Sequence, residues 1–137
     1  MARCSLPIRV YLEDTDAQGI VYNASYFRFL ERARTDWLRA CGIDHSKLLA
    51  DAGIALVLAS IDARFRAPAR LDDMLHVAAE LQELKGARAV FAQQIRRGAP
   101  DGDVVADATA VVACVDAATG TARRWPQELA RRLRAER

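Results

Sequence analysis

One long amphipathic helix, in a chain whose other patterns are mostly those of strands, constrains the fold more than any other feature. Apolar side chains recur at helical spacing from Ala24 to Cys41, and charged side chains lie mostly on the other faces. Asn23 is a favoured N-cap, and Gly42 suits the left-handed conformation that often follows a helix. A single helix can bury its apolar stripe only by packing on a sheet. The pattern therefore predicts a sheet that packs on this helix.

Strand patterns supply such a sheet. A first strand is predicted before the helix, at Ile8 to Leu12. Four more follow the helix, and they contain Val57 to Phe65, Leu75 to Leu81, Val90 with Phe91, and Val104 to Val115. The short connections carry the Pro, Gly and Asp residues that reverse a chain, so neighbouring strands should be antiparallel. We predict an α+β fold in which a curved antiparallel sheet wraps around one long helix.

Two of these strands have apolar residues at every second position, which should place those residues on one face. In the first strand after the helix they are Val57, Ala59, Ile61, Ala63 and Phe65. In the next strand they are Leu75, Val77, Ala79 and Leu81. Short helices are predicted near Ser46 to Ala50 and from Pro126 to Arg134.

Composition excludes several classes of protein. A chain of 137 residues with 52% hydrophobic residues, 28% charged residues and a net charge of +2 is typical of a single globular domain. Disorder and nucleic-acid binding are therefore not expected. No stretch approaches the ~20 apolar residues of a membrane span, and no signal peptide is recognisable. We expect a cytoplasmic protein without stable membrane insertion, with its three widely spaced cysteines reduced.

The segment between the first strand and the long helix carries the candidate chemistry. It contains Asp14 and Asp16 and ends at the helix N-terminus. Free backbone N–H groups and the helix dipole at that end could hold a developing oxyanion beside a carboxylate base. Asp14 and Asp16 are equally typical turn residues, and Asn23 is a typical cap. The residue pattern alone favours this simpler interpretation.

The segment EDTDAQGIVYNASYFRFLERARTDWL, residues 13–38, resembles the opening signature of the 4-hydroxybenzoyl-CoA thioesterase family of hot-dog proteins. Arg66 to Asp73 resembles the family's connection between strands, and the order of strands and turns follows through Val115. The resemblance covers roughly Arg9 to Arg134. It is particularly close to bacterial acyl-CoA thioesterases associated with the Tol-Pal envelope system. It implies one hot-dog thioesterase domain over residues 1–137, which hydrolyses an acyl-CoA to the free acid and coenzyme A.

The resemblance also implies roles for individual residues. Asp16 takes the catalytic role, as a nucleophile that forms an anhydride or as a general base for water, and Asp14 supports the loop. The backbone N–H of Asn23 is expected to polarise the thioester carbonyl. The Tol-Pal-associated subgroup usually has His where this chain has Asn23, an amide without a titratable proton. Asparagine at this point resembles the same stretch of other hot-dog thioesterases.

The resemblance further implies how the substrate binds. Lys85 and Arg88 flank the Gly86 turn, where the family often places contacts to the nucleotide phosphates. Tyr22 is a candidate to line the acyl slot. No metal or organic cofactor is expected, since His45 and His76 are far apart in sequence and no ligand-spaced cysteines accompany them. Hot-dog active sites typically form between subunits, so a homodimer or a tetramer of paired dimers is expected.

Two other functions remain as alternatives. A non-catalytic acyl-CoA-binding protein, or an interaction protein of an envelope complex, could keep the fold without turnover. A hot-dog dehydratase normally needs a catalytic His, and neither histidine lies near the Asp16 segment in sequence.

Overall fold

The computed structural model describes residues 4–136, apart from the side chain of Cys4. The strands are β1 (Cys4–Arg9), β2 (Ile54–Phe65), β3 (Met74–Lys85), β4 (Arg88–Arg97) and β5 (Asp103–Asp116). The helices are α1 (Asn23–Ala40), α2 (His45–Ala52) and α3 (Gln127–Ala135), and Leu12–Asp14 forms a single 3₁₀ turn. This order confirms the predicted α+β fold.

The five strands form one antiparallel sheet in the order β1-β3-β4-β5-β2. Helix α1 packs on one face of this sheet, against β1 and β3 and along part of β4. Trp37 of α1 meets Phe91 of β4 edge to face, with ring centroids 5.4 Å apart. Edge-to-face pairs of this kind are worth about 0.5–1.5 kcal/mol beyond the area they bury. The predicted stripe of α1 therefore faces the sheet.

The predicted face of β3 is correct, and that of β2 is wrong. Leu75, Val77, Ala79 and Leu81 are all essentially inaccessible to solvent. In β2 a bulge between Leu58 and Ser60 shifts the register, so that Val57 pairs with Ala113 whereas Ile61 pairs with Ala110. The two partners are an odd number of residues apart, so Val57 and Ile61 lie on opposite faces. The apolar residues of the sequence alternate regularly through the bulge, so the sequence pattern could not predict it.

Two predicted boundaries are also wrong. The first strand ends at Arg9 and does not reach Leu12, because a carboxylate oxygen of Asp14 accepts the Tyr11 N–H and favours the 3₁₀ turn. The N-cap of α1 is Tyr22 rather than Asn23, and its side chain makes no capping hydrogen bond. Asn23 is the first residue of the helix. Gly42 adopts the predicted left-handed conformation, with φ of 82°.

The described residues include no helix that is both long and apolar enough to cross a membrane.

Candidate active site

The loop between β1 and α1 is a closed hairpin rather than an open connection. Thr15 and Val21 form a β-bridge across it, and the Asp16 N–H donates to the Ile20 carbonyl at 2.9 Å. The Gly19 N–H donates to the Asp16 carbonyl at 3.1 Å, and Gly19 has a φ of 76°. A residue with a Cβ is strained at this φ, so glycine suits the turn. These bonds fix the backbone on both sides of Asp16.

The hairpin also docks on the connection between β2 and β3. Val21 donates its N–H to the Ala69 carbonyl at 2.8 Å, and Leu71 donates to the Gly19 carbonyl at 3.2 Å. The Tyr26 hydroxyl, on α1, accepts the Ala69 N–H at 3.1 Å. Burial raises the pKa of Tyr26 above its ordinary value, so this hydroxyl stays neutral. Tyr26 packs in the core, and only 3% of it is exposed.

The Asp16 carboxylate lies at the exposed tip of this hairpin. Oδ1 accepts the backbone N–H of Gln18 at 2.8 Å, which holds the side chain in one orientation. Among the residues that the structure describes, none donates a hydrogen bond to Oδ2. The carboxylate is therefore oriented by the backbone and retains one oxygen that can take a proton or attack a carbonyl.

The N-terminus of α1 comes directly after this hairpin in the chain. Tyr22 donates its N–H to the Asp14 carbonyl at 2.9 Å, and the Ser25 N–H turns back to the Tyr22 carbonyl at 2.8 Å. The Asn23 N–H, in contrast, has no acceptor within residues 4–136. A helix N-terminus carries a partial positive charge in addition to such free N–H groups. The structure thus places a free donor seven residues after Asp16, at the other end of the same hairpin.

Asp14 holds the base of the hairpin. Its side chain is almost fully buried, with Oδ2 accepting the Tyr11 N–H at 2.9 Å and Oδ1 accepting from Nη2 of Arg28 at 3.2 Å. The same Arg28 nitrogen donates to the Ser25 hydroxyl at 3.1 Å, and that hydroxyl donates to the Asp14 carbonyl. These contacts agree with the predicted supporting role of Asp14. The sequence analysis missed Arg28, for which the only signal is its position one turn after Ser25.

Lys85 and Arg88 lie elsewhere in the chain. They pair across the β3–β4 turn, both exposed, at the end of β3 opposite to Met74. Met74 follows closely after the connection that holds the hairpin, and β3 between Met74 and Lys85 is about 35 Å long at the rise of a strand. One chain therefore does not bring Lys85 and Arg88 to Asp16. Tyr22 lies beside Asn23 and is 58% exposed.

The C-terminal segment adds basic residues near the β3–β4 turn. The Trp125 indole donates to the Ala87 carbonyl at 3.2 Å, and Arg134 donates to the Leu84 carbonyl at 2.9 Å. Arg123 and Arg124 immediately precede Trp125 and are exposed. The sequence analysis assigned no role to these arginines. The sequence shows many arginines near the C-terminus, but only the contacts of Trp125 and Arg134 in the structure place them near the β3–β4 turn.

A cavity of about 520 Å³ opens between α1, β2 and β5, and the sequence analysis did not predict it. Its apolar wall consists of Phe27, Leu38, Leu56, Leu58 and Val112. Its polar lining consists of Arg28, Glu31, Arg34, Thr35 and His45. Asp16 does not line it. This volume is within the range of small-molecule sites.

Residues 4–136, as described, contain no cluster of three or more His, Cys, Asp or Glu side chains arranged to hold a metal ion.

One antiparallel sheet packed on one long helix is the architecture of the hot-dog proteins. A 4-hydroxybenzoyl-CoA thioesterase, solved in complex with 4-hydroxybenzoyl-CoA, superposes with a TM-score of 0.87. The match covers 96% of this chain and 98% of that one at 22% identity. It confirms the predicted hot-dog fold.

The family follows from closer relatives. Residues 10–133 match the thioesterase-like superfamily, and the chain belongs to that family. The acyl-CoA thioesterase YbgC of Haemophilus influenzae is 40% identical over 125 residues, which cover 91% of this chain and 90% of that protein. The probable thioesterase YbaW of Escherichia coli is 35% identical, with a TM-score of 0.80 over 95% of this chain and 96% of that one. The predicted family and the predicted class of thioester hydrolase are confirmed.

Proposed function

We propose that this protein hydrolyses acyl-CoA thioesters to a free acid and coenzyme A, with Asp16 as the reacting carboxylate and no cofactor. The observation that carries the proposal is the position of Asp16 and of the free Asn23 N–H at the two ends of one pinned hairpin. Hydrolysis of an acyl group requires a base or nucleophile together with an oxyanion donor, and this hairpin carries one of each. The similarity to the acyl-CoA thioesterase YbgC of Haemophilus influenzae supports the same substrate class.

Two routes through Asp16 give the same products. As a general base, the carboxylate takes a proton from water, the resulting hydroxide attacks the thioester carbonyl, and coenzyme A leaves with a proton. As a nucleophile, the carboxylate attacks the carbonyl itself, coenzyme A leaves, and water then hydrolyses the anhydride. Both routes place negative charge on the carbonyl oxygen. The Asn23 N–H and the positive end of α1 would stabilise that charge.

The proposal includes a homo-oligomer, a dimer or a tetramer. Strand β2 pairs with β5 on one side only and forms an edge of the described sheet, with Val57, Leu58 and Phe65 more than two-fifths exposed. A long apolar edge strand of this kind pairs readily with another chain. Lys85 and Arg88 would bind the phosphates of coenzyme A, and their distance from Asp16 in one chain favours a site built from two copies.

The remaining assignments belong to the same proposal. Tyr22, exposed beside Asn23, would contact the acyl group. Residues 1–137 would act as a single hot-dog thioesterase domain, and the protein would work in the cytoplasm.

Thiol release from short-chain, long-chain and aromatic acyl-CoAs tests this function. Asp16→Asn keeps the size and the hydrogen bond to Gln18 but removes the charge, so we expect turnover to fall by about 10²–10⁴-fold. Asp101→Asn, in the exposed β4–β5 turn, is the matched control and should keep wild-type turnover. Equal turnover by Asp16→Asn would remove Asp16 from the mechanism. Binding of acyl-CoA without thiol release by either protein would identify a binding module instead.

A further inference from the structure

The hairpin that carries Asp16 is held in two places. Its base is held at Asp14, whose carbonyl accepts the Ser25 hydroxyl of α1 at 3.0 Å. Its second arm lies against the connection between β2 and β3, where the Val21 N–H donates to the Ala69 carbonyl at 2.8 Å. A hairpin fixed only at its base could pivot there. The contact of the second arm therefore determines where the tip of the hairpin lies.

Ala69 connects this second contact to α1. Its N–H donates to the Tyr26 hydroxyl at 3.1 Å, while its carbonyl accepts from Val21. One residue of the connection thus bonds to the helix through its N–H and to the hairpin through its carbonyl. Ala69 is fully buried and Tyr26 is 3% exposed, so the bond between them lies in the low-dielectric interior, where a hydrogen bond is stronger than in water.

The Tyr26 ring is itself held in one position. Phe65, the last residue of β2, lies beside the ring with the two centroids 5.3 Å apart, and Phe29 meets it edge to face at 6.4 Å. Tyr26 also lies about one turn after Asn23 on α1. The hydroxyl that holds Ala69 is therefore fixed relative to the helix N-terminus that presents the Asn23 N–H.

We propose that Tyr26 is a positioning residue for thioester hydrolysis, which holds Asp16 in place relative to the Asn23 N–H through Ala69. The assignment rests on the proposed function, because that function requires both groups to act on the same carbonyl. The β-bridge that closes the hairpin joins Val21 to the residue before Asp16, so a shift of Val21 also moves Asp16. The hydroxyl is buried, so its role is geometric and not a proton transfer.

Tyr26→Phe tests this role, because it removes the hydroxyl and keeps the ring between Phe29 and Phe65. We expect kcat for an acyl-CoA to fall by about 10–100-fold, since misplacing reacting groups by about 1 Å costs on the order of 10²-fold in rate. KM should change by less than about threefold, because the hydroxyl does not contact the substrate. Tyr11→Phe is the same chemical change at a residue that is 63% exposed, and it should keep wild-type kcat.

A double-mutant cycle with Asn23→Pro separates positioning from folding. Proline is tolerated at the first residue of a helix, and it removes the N–H that Tyr26 aligns with Asp16. In this background Tyr26→Phe should lower kcat by about threefold or less, whereas an effect of stability alone would be equal in both backgrounds. Phe91→Leu, at the buried contact with Trp37, is the control for stability, and it should lower Tm by a few degrees and keep wild-type kcat.

Amide hydrogen exchange, followed by NMR, provides a readout that does not depend on turnover. The Asp16 N–H donates to the Ile20 carbonyl, and the Val21 N–H donates to the Ala69 carbonyl. Both amides should exchange at least about fivefold faster in Tyr26→Phe, because the hairpin then opens locally more often. In the Phe91→Leu control both should exchange at the wild-type rate.

The outcomes distinguish the role of Tyr26 from the proposed function. Wild-type kcat in Tyr26→Phe, equal losses in the two backgrounds of the cycle, or unchanged exchange of the hairpin amides overturns the positioning role. Turnover of acyl-CoA by the wild-type protein would leave the thioesterase function standing in each of these cases. Absence of wild-type turnover, together with faster exchange of the hairpin amides in Tyr26→Phe, would contradict the proposed function and retain the contact through which Tyr26 holds the hairpin.

Discussion

Arg28 and Asp14 form an ion pair that ties α1 to the base of the acidic hairpin, with Nη2 and Oδ1 3.2 Å apart. The Asp14 carboxylate is buried, whereas about half of the Arg28 side chain is exposed. The pair therefore has one desolvated partner, and a large part of its Coulomb energy is screened by solvent. The main effect of the pair is to fix the position of Asp14. The Asp14 carboxylate also accepts the Tyr11 N–H, and the Asp14 carbonyl accepts from Tyr22 and Ser25.

Asp14→Ala should therefore affect both stability and turnover. It leaves the Tyr11 N–H without its acceptor, and we expect a loss of about 1–3 kcal/mol in the free energy of unfolding. Because the hairpin loses its anchor, kcat should fall by about tenfold or more, with a smaller change in KM. Urea unfolding and steady-state kinetics measure the two effects.

The Asp36–Arg39 pair on α1 is a matched control for this prediction. It is solvent-exposed, with its atoms 3.7 Å apart, and Asp36→Ala should cost less than about 0.5 kcal/mol. A double-mutant cycle of Asp14→Ala with Arg28→Met then isolates the coupling between the two residues. If Asp14→Ala lowers stability and leaves kcat unchanged, Asp14 has a structural role only.

The edge strand β2 allows a test of the oligomer. Val57 is the fourth residue of this strand and is 44% exposed. A charge at this edge opposes pairing with a second copy, so Val57→Asp should shift the sedimentation coefficient toward that of a monomer and reduce turnover. Leu49→Asp, at a 52% exposed position on α2, should change neither property. Full turnover by a monomeric Val57→Asp protein would show that one chain contains the whole site.

The proposed phosphate contacts of Lys85 and Arg88 can be separated from the chemistry. The double variant Lys85→Ala with Arg88→Ala should raise KM for an acyl-CoA by about tenfold or more. It should leave KM for the matching acyl-pantetheine unchanged, because that thioester lacks the nucleotide phosphates. Lys47→Ala with Arg131→Ala removes two exposed charges elsewhere and is the control. An equal rise for both thioesters would contradict phosphate binding.

Much of this fold follows from patterns that reflect local physics. The stripe of α1 and the alternation in β3 record which side chains are buried, so the helix, the strand and their packing were predictable. The bulge after Leu58 and the N-cap at Tyr22 were not. The bulge depends on pairing with β5, which is distant in sequence. The N-cap depends on backbone hydrogen bonds of Tyr22, a residue whose side chain does not cap the helix. No local sequence pattern encodes either feature.

The site was predictable to a smaller extent. The acidic segment stood out because of a family signature, and its residues alone favoured an ordinary turn. Arg34 gave one readable signal, a charge placed on the apolar stripe between Leu30 and Trp37. Arg34 donates to Oε1 of Gln93, 59 residues away in sequence, so the position of Arg34 in the cavity lining could be seen only in the folded chain.

Asn23 offers the sharpest test of the oxyanion donor, because proline can remove its N–H without breaking the helix. Asn23 is the first residue of α1, where proline is well tolerated. The preceding Tyr22 has φ of −69° and ψ of 140°, a conformation that the residue before a proline favours. Asn23→Pro should therefore fold normally and lose about 10²–10³-fold in kcat.

Asn23→Ala keeps the N–H and removes only the amide side chain, so its kcat should stay within about threefold of the wild-type value. Gln127→Pro is the matched control, since Gln127 is the first residue of α3 and its N-cap also has extended ψ, at 138°. Steady-state kinetics, with circular dichroism to verify helix content, compares the three variants. Normal turnover by a folded Asn23→Pro protein would assign the oxyanion donor to another group, whereas a large loss in Asn23→Ala would give the side chain a direct role.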